Sequence, residues 1–62
     1  GCVIGTNTII QDGAILNMGT LLDHDVVVEQ FVHLSIGVKV ASNNIIPTFS
    51  FLEVGSIIEH KS

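Results

Sequence analysis

Residues 20–40 read TLLDHDVVVEQFVHLSIGVKV, and in this stretch an aliphatic side chain recurs at every sixth position. The same spacing continues in both directions without a miss. The positions are Ile4, Ile10, Leu16, Leu22, Val28, Leu34, Val40, Ile46, Leu52 and Ile58. A period of six matches neither the 3.6-residue period of an α-helix nor the two-residue period of a strand. The pattern predicts a chain of hexapeptide units, each a short strand followed by a corner.

Three hexapeptide units make one coil, which predicts a three-sided prism of stacked coils. Strands of neighbouring coils should pair about 4.8 Å apart. Side chains separated by one full coil then stack in three inward columns: Ile4, Leu22, Val40 and Ile58; Ile10, Val28 and Ile46; Leu16, Leu34 and Leu52. We therefore predict an all-β fold, a parallel β-helix of about three and a half coils, stabilised by contacts between neighbouring coils.

The predicted corners carry residues that tolerate unusual backbone angles. They include Asn7, Asp12-Gly13, Gly19, Gly37, Asn43 and Gly55. Phe31 and Phe49 depart from this pattern. A bulky side chain at a corner projects outward, so we expect these two rings to contact solvent or a partner.

Composition restricts the possible functions and partners. The formal net charge is −4 with only two basic residues, which argues against nucleic acid and against anionic membranes. No apolar run approaches the roughly 18 residues that span a bilayer, and we find no secretory signal, so we expect a cytoplasmic protein. The lone Cys2 lies at an inward position and has no partner for an internal disulfide. We treat residues 1–62 as one β-helix domain and expect it to be part of a longer chain.

The residues directly before the core aliphatics are predicted to point outward, and most are apolar. They are Val3, Ile9, Ile15, Leu21, Val27, Ile45, Phe51 and Ile57, interrupted by His33 and Lys39. A solvent-facing strand would alternate with polar residues, so these faces are expected to be covered. Packing of three prisms into a homotrimer is the favoured arrangement; contact with another domain of the same chain is the alternative.

The polar residues around two histidines form the candidate site. His24 lies at a predicted corner, whereas His33 lies in the middle of the opposite face, which it shares with Asn17. Side-by-side packing would bring the His24 corner of one chain to the Asn17/His33 face of the next. His24 is then the candidate general base, and Asp25 would orient its ring and stabilise the imidazolium. Ser42 lies one coil above His24, where its backbone N–H would face a developing oxyanion.

Three stretches resemble one known enzyme family: GAILN at 13–17, LDHDVVV at 22–28 and FVHLSIG at 31–37. They are similar to the sialic acid O-acetyltransferases and UDP-4-amino-sugar N-acetyltransferases, which are acetyl-CoA-dependent bacterial enzymes with left-handed β-helices. The resemblance implies that His24 is the catalytic base, that Asp25 is its acidic partner, and that the Ser42 amide holds the thioester oxyanion. It also implies that Asn17 and His33 line the substrate and acetyl site.

The same resemblance implies that coenzyme A lies between neighbouring prisms against the main chain of residues 42–55, with no metal in the reaction. Glu29, Pro47 and Glu53 stand where the family usually has glycine, and we expect them to alter these contacts. The acceptor sugar, the acylated atom and the acyl chain length stay open.

Two other functions compete with acyl transfer. A non-catalytic scaffold would use the β-helix only to assemble a larger complex. A zinc carbonic anhydrase would gather histidines at a subunit interface, but zinc needs three well-placed ligands and an open position. His33 follows His24 by half a coil and precedes His60 by one and a half coils, which offers no close pair on one face. We read His60 as a solvated turn residue.

Overall fold

The computed structural model describes residues 1–60, which contain ten strands of two residues each. The strands are β1 Val3–Ile4, β2 Ile9–Ile10, β3 Ile15–Leu16, β4 Leu21–Leu22, β5 Val27–Val28, β6 His33–Leu34, β7 Lys39–Val40, β8 Ile45–Ile46, β9 Phe51–Leu52 and β10 Ile57–Ile58. Each strand contains one core aliphatic and the outward residue before it. This described part of the chain contains no helix, and so none long and apolar enough to cross a membrane.

The strands form three parallel sheets, in the orders β1-β4-β7-β10, β2-β5-β8 and β3-β6-β9. The register is the predicted shift of three hexapeptides: Ile4 pairs with Leu22, and Leu22 pairs with Val40. The prediction of an all-β, parallel β-helix is therefore confirmed, as are its three inward columns. The ten strands make about three coils.

Backbone hydrogen bonds join each coil to the next on faces and at corners. On the faces, an N–H donates to a carbonyl oxygen of the following coil, as from Ile15 to Val32 over 2.8 Å. At the corners, an N–H donates to a carbonyl oxygen of the preceding coil, as from Asp25 to Thr6 over 2.9 Å. Most of these bonds run between coils and few lie inside one, so stability depends on the stacking of coils.

The core lies in the middle of the stack. Leu22, Val28 and Leu34 are almost completely buried, and so are the β-branched residues Val26 and Val38. The first-coil residues of the same columns are open, with Ile4 43% exposed, because coils at the ends of the stack lack a neighbour on one side. Cys2 shows the same end effect: its Sγ lies 3.3 Å from the Asn17 carbonyl oxygen, yet the residue is exposed.

The corners share one backbone conformation. The second corner residue has positive φ at five non-glycine positions and four glycines. Phe31 and Phe49 adopt it as well, with φ of 58° and 65°, although a side chain there costs roughly 1–2 kcal/mol. Their rings are exposed, as expected, and also stack on each other with centroids 5.4 Å apart. The Phe31 ring lies over Gly13, where a Cβ would be in hard contact with it.

Candidate active site

The His24 corner follows strand β4 and is shaped by the two aspartates beside the histidine. Asp23 Oδ1 accepts the backbone N–H of His24 over 2.8 Å. Asp25 takes the left-handed conformation, with φ of 57°, which aspartate tolerates better than most residues. Its carboxylate then returns to the imidazole, with Asp25 Oδ2 lying 2.9 Å from His24 Nδ1. The sequence Asp-His-Asp therefore produces a histidine–carboxylate pair at the prism edge.

The contact with Asp25 is the main cause of the shift in the pKa of His24. The hydrogen bond to Asp25 raises the pKa of His24 above its usual value; desolvation opposes the rise, and the charges of Asp23 and Asp25 add to it. Both side chains of the pair are about half exposed, at 53% for His24 and 48% for Asp25, so water screens their attraction.

The raised pKa of His24 determines how the stability of the fold changes with pH. Because the folded-state pKa of His24 lies above its unfolded value, the pair stabilises the fold fully below the unfolded pKa of about 6.5. That contribution is lost as the pH rises through the raised folded pKa. Above that pH, His24 is unprotonated and able to accept a proton.

Asn17 and His33 meet on the face formed by β3, β6 and β9. Asn17 Nδ2 lies 3.1 Å from His33 Nε2 and also donates to the Leu34 carbonyl oxygen over 3.1 Å. The ring of Phe51, one coil above, packs edge-on against the half-buried imidazole with centroids 5.1 Å apart. The structure thus brings Asn17 and His33 together within one chain, as the coil repeat predicts.

The structure does not bring His24 to this pair within one chain. Among residues 1–60, the His24 side chain forms a hydrogen bond with Asp25 and none with Asn17 or His33. His24 stands at a corner after β4, whereas His33 lies in β6, a strand of another sheet. Within this part of one chain, the two halves of the predicted site therefore lie on different elements and share no hydrogen bond.

Ser42 lies above His24, since the Asn43 N–H donates to the His24 carbonyl oxygen over 3.4 Å. In the described part of the chain, the Ser42 N–H takes part in none of the ladder hydrogen bonds. The Ser42 side chain is buried, and its hydroxyl lies 2.6 Å from Nδ1 of His60. His60 itself is exposed, as expected, but its contact with Ser42 was not predicted. The signal that would have found the contact is the spacing of one full coil between positions 42 and 60.

A surface groove of about 320 Å³ lies beside the corner that carries Ser42 and His60. Strands β4, β7 and β10 contribute most of its lining, which is largely apolar but includes charged residues. Its lining residues are Leu21, Asp23, Lys39, Val40, Ala41, Ile57, Ile58, Glu59 and His60. The groove is lined by Leu21, Asp23 and the segments 39–41 and 57–60, and so differs from the segment 42–55 that the resemblance implies for coenzyme A.

Glu29 and Pro47, two departures from the family pattern, lie next to one another on successive coils. Proline has no N–H to donate to a ladder. Glu29 Oε1 accepts the N–H of the next residue, Thr48, over 3.1 Å and lies 3.4 Å from its hydroxyl. The glutamate side chain thus adds a hydrogen bond at the corner that the proline begins.

Metal-ligating residues are dispersed in the part of the chain that the structure describes. Within residues 1–60, no three His, Cys, Asp or Glu side chains lie close enough together to hold a metal ion.

No protein-family model matches the chain, and no solved structure matches it significantly.

Proposed function

We propose that this β-helix is the catalytic part of an acetyl-CoA-dependent sugar acetyltransferase, with His24 as general base at a boundary between chains. The observation that carries the proposal is the 2.9 Å contact between His24 Nδ1 and Asp25 Oδ2. A carboxylate only accepts, so the neutral imidazole places its proton on Nδ1 and keeps the Nε2 lone pair free. A half-exposed histidine with an oriented ring and an accessible lone pair has what a general base needs.

The proposed reaction is a direct transfer of the acyl group. Nε2 of His24 takes a proton from a sugar amine or hydroxyl as that atom attacks the thioester carbonyl carbon. The new bond to carbon forms and the carbonyl oxygen becomes an oxyanion. Collapse of this intermediate breaks the C–S bond, and the departing thiolate takes the proton from the His24 imidazolium. Asp25 stabilises the imidazolium in between, as its effect on the His24 pKa indicates.

The Ser42 backbone amide is the proposed donor to the oxyanion. Support comes from its position one coil above His24 and from its absence from the backbone ladder. A preorganised N–H aimed at developing charge lowers the barrier because it needs no reorganisation during the reaction. The Ser42–His60 contact anchors the side chain of this residue and so restrains the corner.

A homotrimer is the proposed assembly. The outward strand positions are apolar and open in a single chain, with Ile45 62% and Ile57 68% exposed. Apolar faces of this kind are typical of interaction surfaces. Side-by-side packing would cover them and would place the His24 corner of one chain against the Asn17/His33 face of the next.

The test is a comparison of His24→Ala with a matched corner variant, Gln30→Ala. Gln30 occupies the equivalent corner position one hexapeptide later and is exposed. The chain is assayed with acetyl-CoA and a panel of amino-sugar nucleotides and sialic acid, following release of the coenzyme A thiol and acetylation by mass spectrometry. General-base catalysis contributes about 10²–10⁴-fold, so His24→Ala should lose at least about 100-fold in kcat while Gln30→Ala keeps its rate. Full activity in His24→Ala, with unchanged circular dichroism, would refute the assignment.

Acetyl-CoA binding separates the enzyme from the scaffold function. Isothermal titration of the chain with acetyl-CoA should give saturable heat in the micromolar to millimolar range common for substrates. A chain that assembles yet gives no heat with acetyl-CoA and no turnover with the panel is a scaffold, and the acyltransferase proposal is then wrong.

A further inference from the structure

Asn44 is a buried polar residue that joins two coils at the corner carrying Ser42. Its Nδ2 donates to the Ala41 carbonyl oxygen over 2.9 Å and to the Glu59 carbonyl oxygen over 2.8 Å. The Ser42 carbonyl oxygen lies farther from this nitrogen, at 3.4 Å. Carbonyl oxygens only accept hydrogen bonds, so the nitrogen end of the amide must face them. Since positions 41 and 59 are equivalent on successive coils, the two hydrogens of one amide hold both corners.

The Ala41 carbonyl depends on Asn44 because the inward residue one coil below cannot donate to it. Thr8, Val26 and Asn44 occupy equivalent positions on three successive coils. Thr8 Oγ1 donates to the Asp23 carbonyl oxygen of the next coil over 2.6 Å. Val26 has no polar group in its side chain, so it cannot make the corresponding bond to Ala41. The amide of Asn44 therefore supplies the donor from within the coil of Ala41 itself.

The Ala41 carbonyl and the Ser42 N–H belong to the same peptide unit. A trans peptide unit is planar, so its N–H points in the direction opposite to its C=O. Because the C=O is bonded to the buried side chain of Asn44, the Ser42 N–H is directed away from that side chain. A hydrogen bond accepted by the C=O also polarises the peptide unit and makes its N–H a stronger donor.

A similar corner shows what is particular about Ser42. Ser50 Oγ donates to the Pro47 carbonyl oxygen over 2.6 Å, so that carbonyl is also bonded by an inward side chain. The N–H of the same peptide unit, on Thr48, donates to Glu29 Oε1 over 3.1 Å and is thereby occupied. The Ser42 N–H, by contrast, donates to no backbone or side-chain acceptor within residues 1–60. It is oriented by Asn44 and left for a ligand.

We propose that Asn44 is a positioning residue, which fixes the Ala41–Ser42 peptide unit so that the Ser42 N–H stays aimed at the oxyanion of the tetrahedral intermediate. The inference rests on the proposed function, in which this N–H stabilises the intermediate. Asn44 acts only through the peptide unit, so its effect is on the rate of the chemical step and not on the binding of acetyl-CoA.

Hydrogen exchange followed by NMR tests the geometry without any ligand. The side-chain amide of Asn44 should exchange slowly, because it is buried and both of its hydrogens are bonded. The Ser42 N–H should exchange much faster than the Ala41 N–H, which donates to the Ile58 carbonyl oxygen over 2.8 Å. A rapidly exchanging Asn44 side chain, or a Ser42 N–H as protected as that of Ala41, would overturn the inference. This measurement needs only the unaltered chain, so it remains decisive even if a variant at position 44 does not fold.

Turnover of acetyl-CoA with a competent acceptor tests the role in three variants. Asn44→Val removes the donor, and valine already fills the same position one coil below, at Val26. It should lower kcat by about 100-fold with KM unchanged, as misplacing or removing one oxyanion donor does. Asn44→Ser should keep most of the rate, because a serine hydroxyl can bond the carbonyl three residues back, as Ser56 Oγ does over 2.7 Å. Ser50→Ala is the matched control and should keep its rate.

The outcomes separate this inference from the proposed function. An unchanged kcat in folded Asn44→Val overturns the positioning role and leaves the proposed function intact. A loss in Asn44→Ser equal to that in Asn44→Val, or a similar loss in Ser50→Ala, shows that these side chains act through the general stability of the stack and also overturns the role. An unaltered chain that transfers no acetyl group overturns the proposed function and the role of Asn44 together.

Discussion

The leucine column offers a direct measure of how the stack stabilises itself. Leu16, Leu34 and Leu52 occupy equivalent positions on successive coils, paired in register. Leu34 is 0% exposed, whereas the two others are half-buried because they lie toward the ends of the stack. Replacing each leucine by alanine removes the same atoms from three different environments. The differences in unfolding free energy therefore report the stacking alone.

The expected magnitudes follow from burial. Truncation of a fully buried leucine costs about 3–5 kcal/mol, including the cavity that it leaves. Half-buried leucines should lose about half of this, roughly 1.5–2.5 kcal/mol each. The whole fold, at roughly 0.05–0.15 kcal/mol per residue, is stable by only about 3–9 kcal/mol. Leu34→Ala is thus expected to approach or exceed the limit of folding, while the variants at positions 16 and 52 stay folded.

The assay is urea unfolding followed by far-ultraviolet circular dichroism, at two protein concentrations because assembly of chains would add to the apparent stability. Leu34→Val, which removes a single methylene, keeps the central position measurable and should cost about 1 kcal/mol. Equal losses for alanine at 16, 34 and 52 would contradict a stack in which only the middle coils are enclosed. A loss below about 1 kcal/mol for Leu34→Ala would contradict the inward column itself.

Two further predictions concern the corners. Gly13→Ala should destabilise the chain by about 2–4 kcal/mol, because it combines a left-handed side chain with a clash against the Phe31 ring; Gly37→Ala, which shares the positive φ but has open space around it, should cost only about 1–2 kcal/mol. Thermal unfolding of both variants measures the difference, and equal melting temperatures would show that Phe31 does not pack over Gly13. Asp25→Asn should lower the pKa of His24 toward its usual value, because the hydrogen bond to Asp25 is the main cause of the rise. NMR titration of the imidazole measures this change; in an active enzyme the rise of kcat with pH should shift to lower pH, and an unchanged His24 pKa would show that Asp25 does not govern it.

The repeat could be predicted from the spacing of residues in the sequence because each hexapeptide contains its own strand and corner. Placing one aliphatic inward at every sixth position determines which residues pair, since three units return the chain to the same side. The pairing of Ile4 with Leu22 and of Leu22 with Val40 therefore follows from counting. Handedness is different: the period does not determine it, and our prediction of a left-handed coil comes from the family resemblance.

The candidate site was partly predictable for the same reason. Counting in steps of one coil places Asn17 on the face of His33, and direct adjacency places Asp25 beside His24. The contact between Ser42 and His60 was missed even though the same count applies, because a histidine at an exposed corner reads as an ordinary turn residue. The exposure of Phe31 and Phe49 at their corners was predicted, but the stacking of their rings was not, because stacking depends on the rotamer of each ring.

The amino-acid sequence by itself determined the coil period, the inward columns and the faces on which the polar groups lie, because these follow from backbone repetition and from burial of one aliphatic per unit. Only the tertiary structure decided the hydrogen bonds between side chains on successive coils. Asn17 Nδ2 lies 3.1 Å from the Leu34 carbonyl oxygen and 3.1 Å from His33 Nε2 because rotamers and stacking place these two atoms of the next coil beside it. A linear pattern specifies which side of the prism a residue occupies, but the direction of its polar atoms is determined by the neighbours that pack against it.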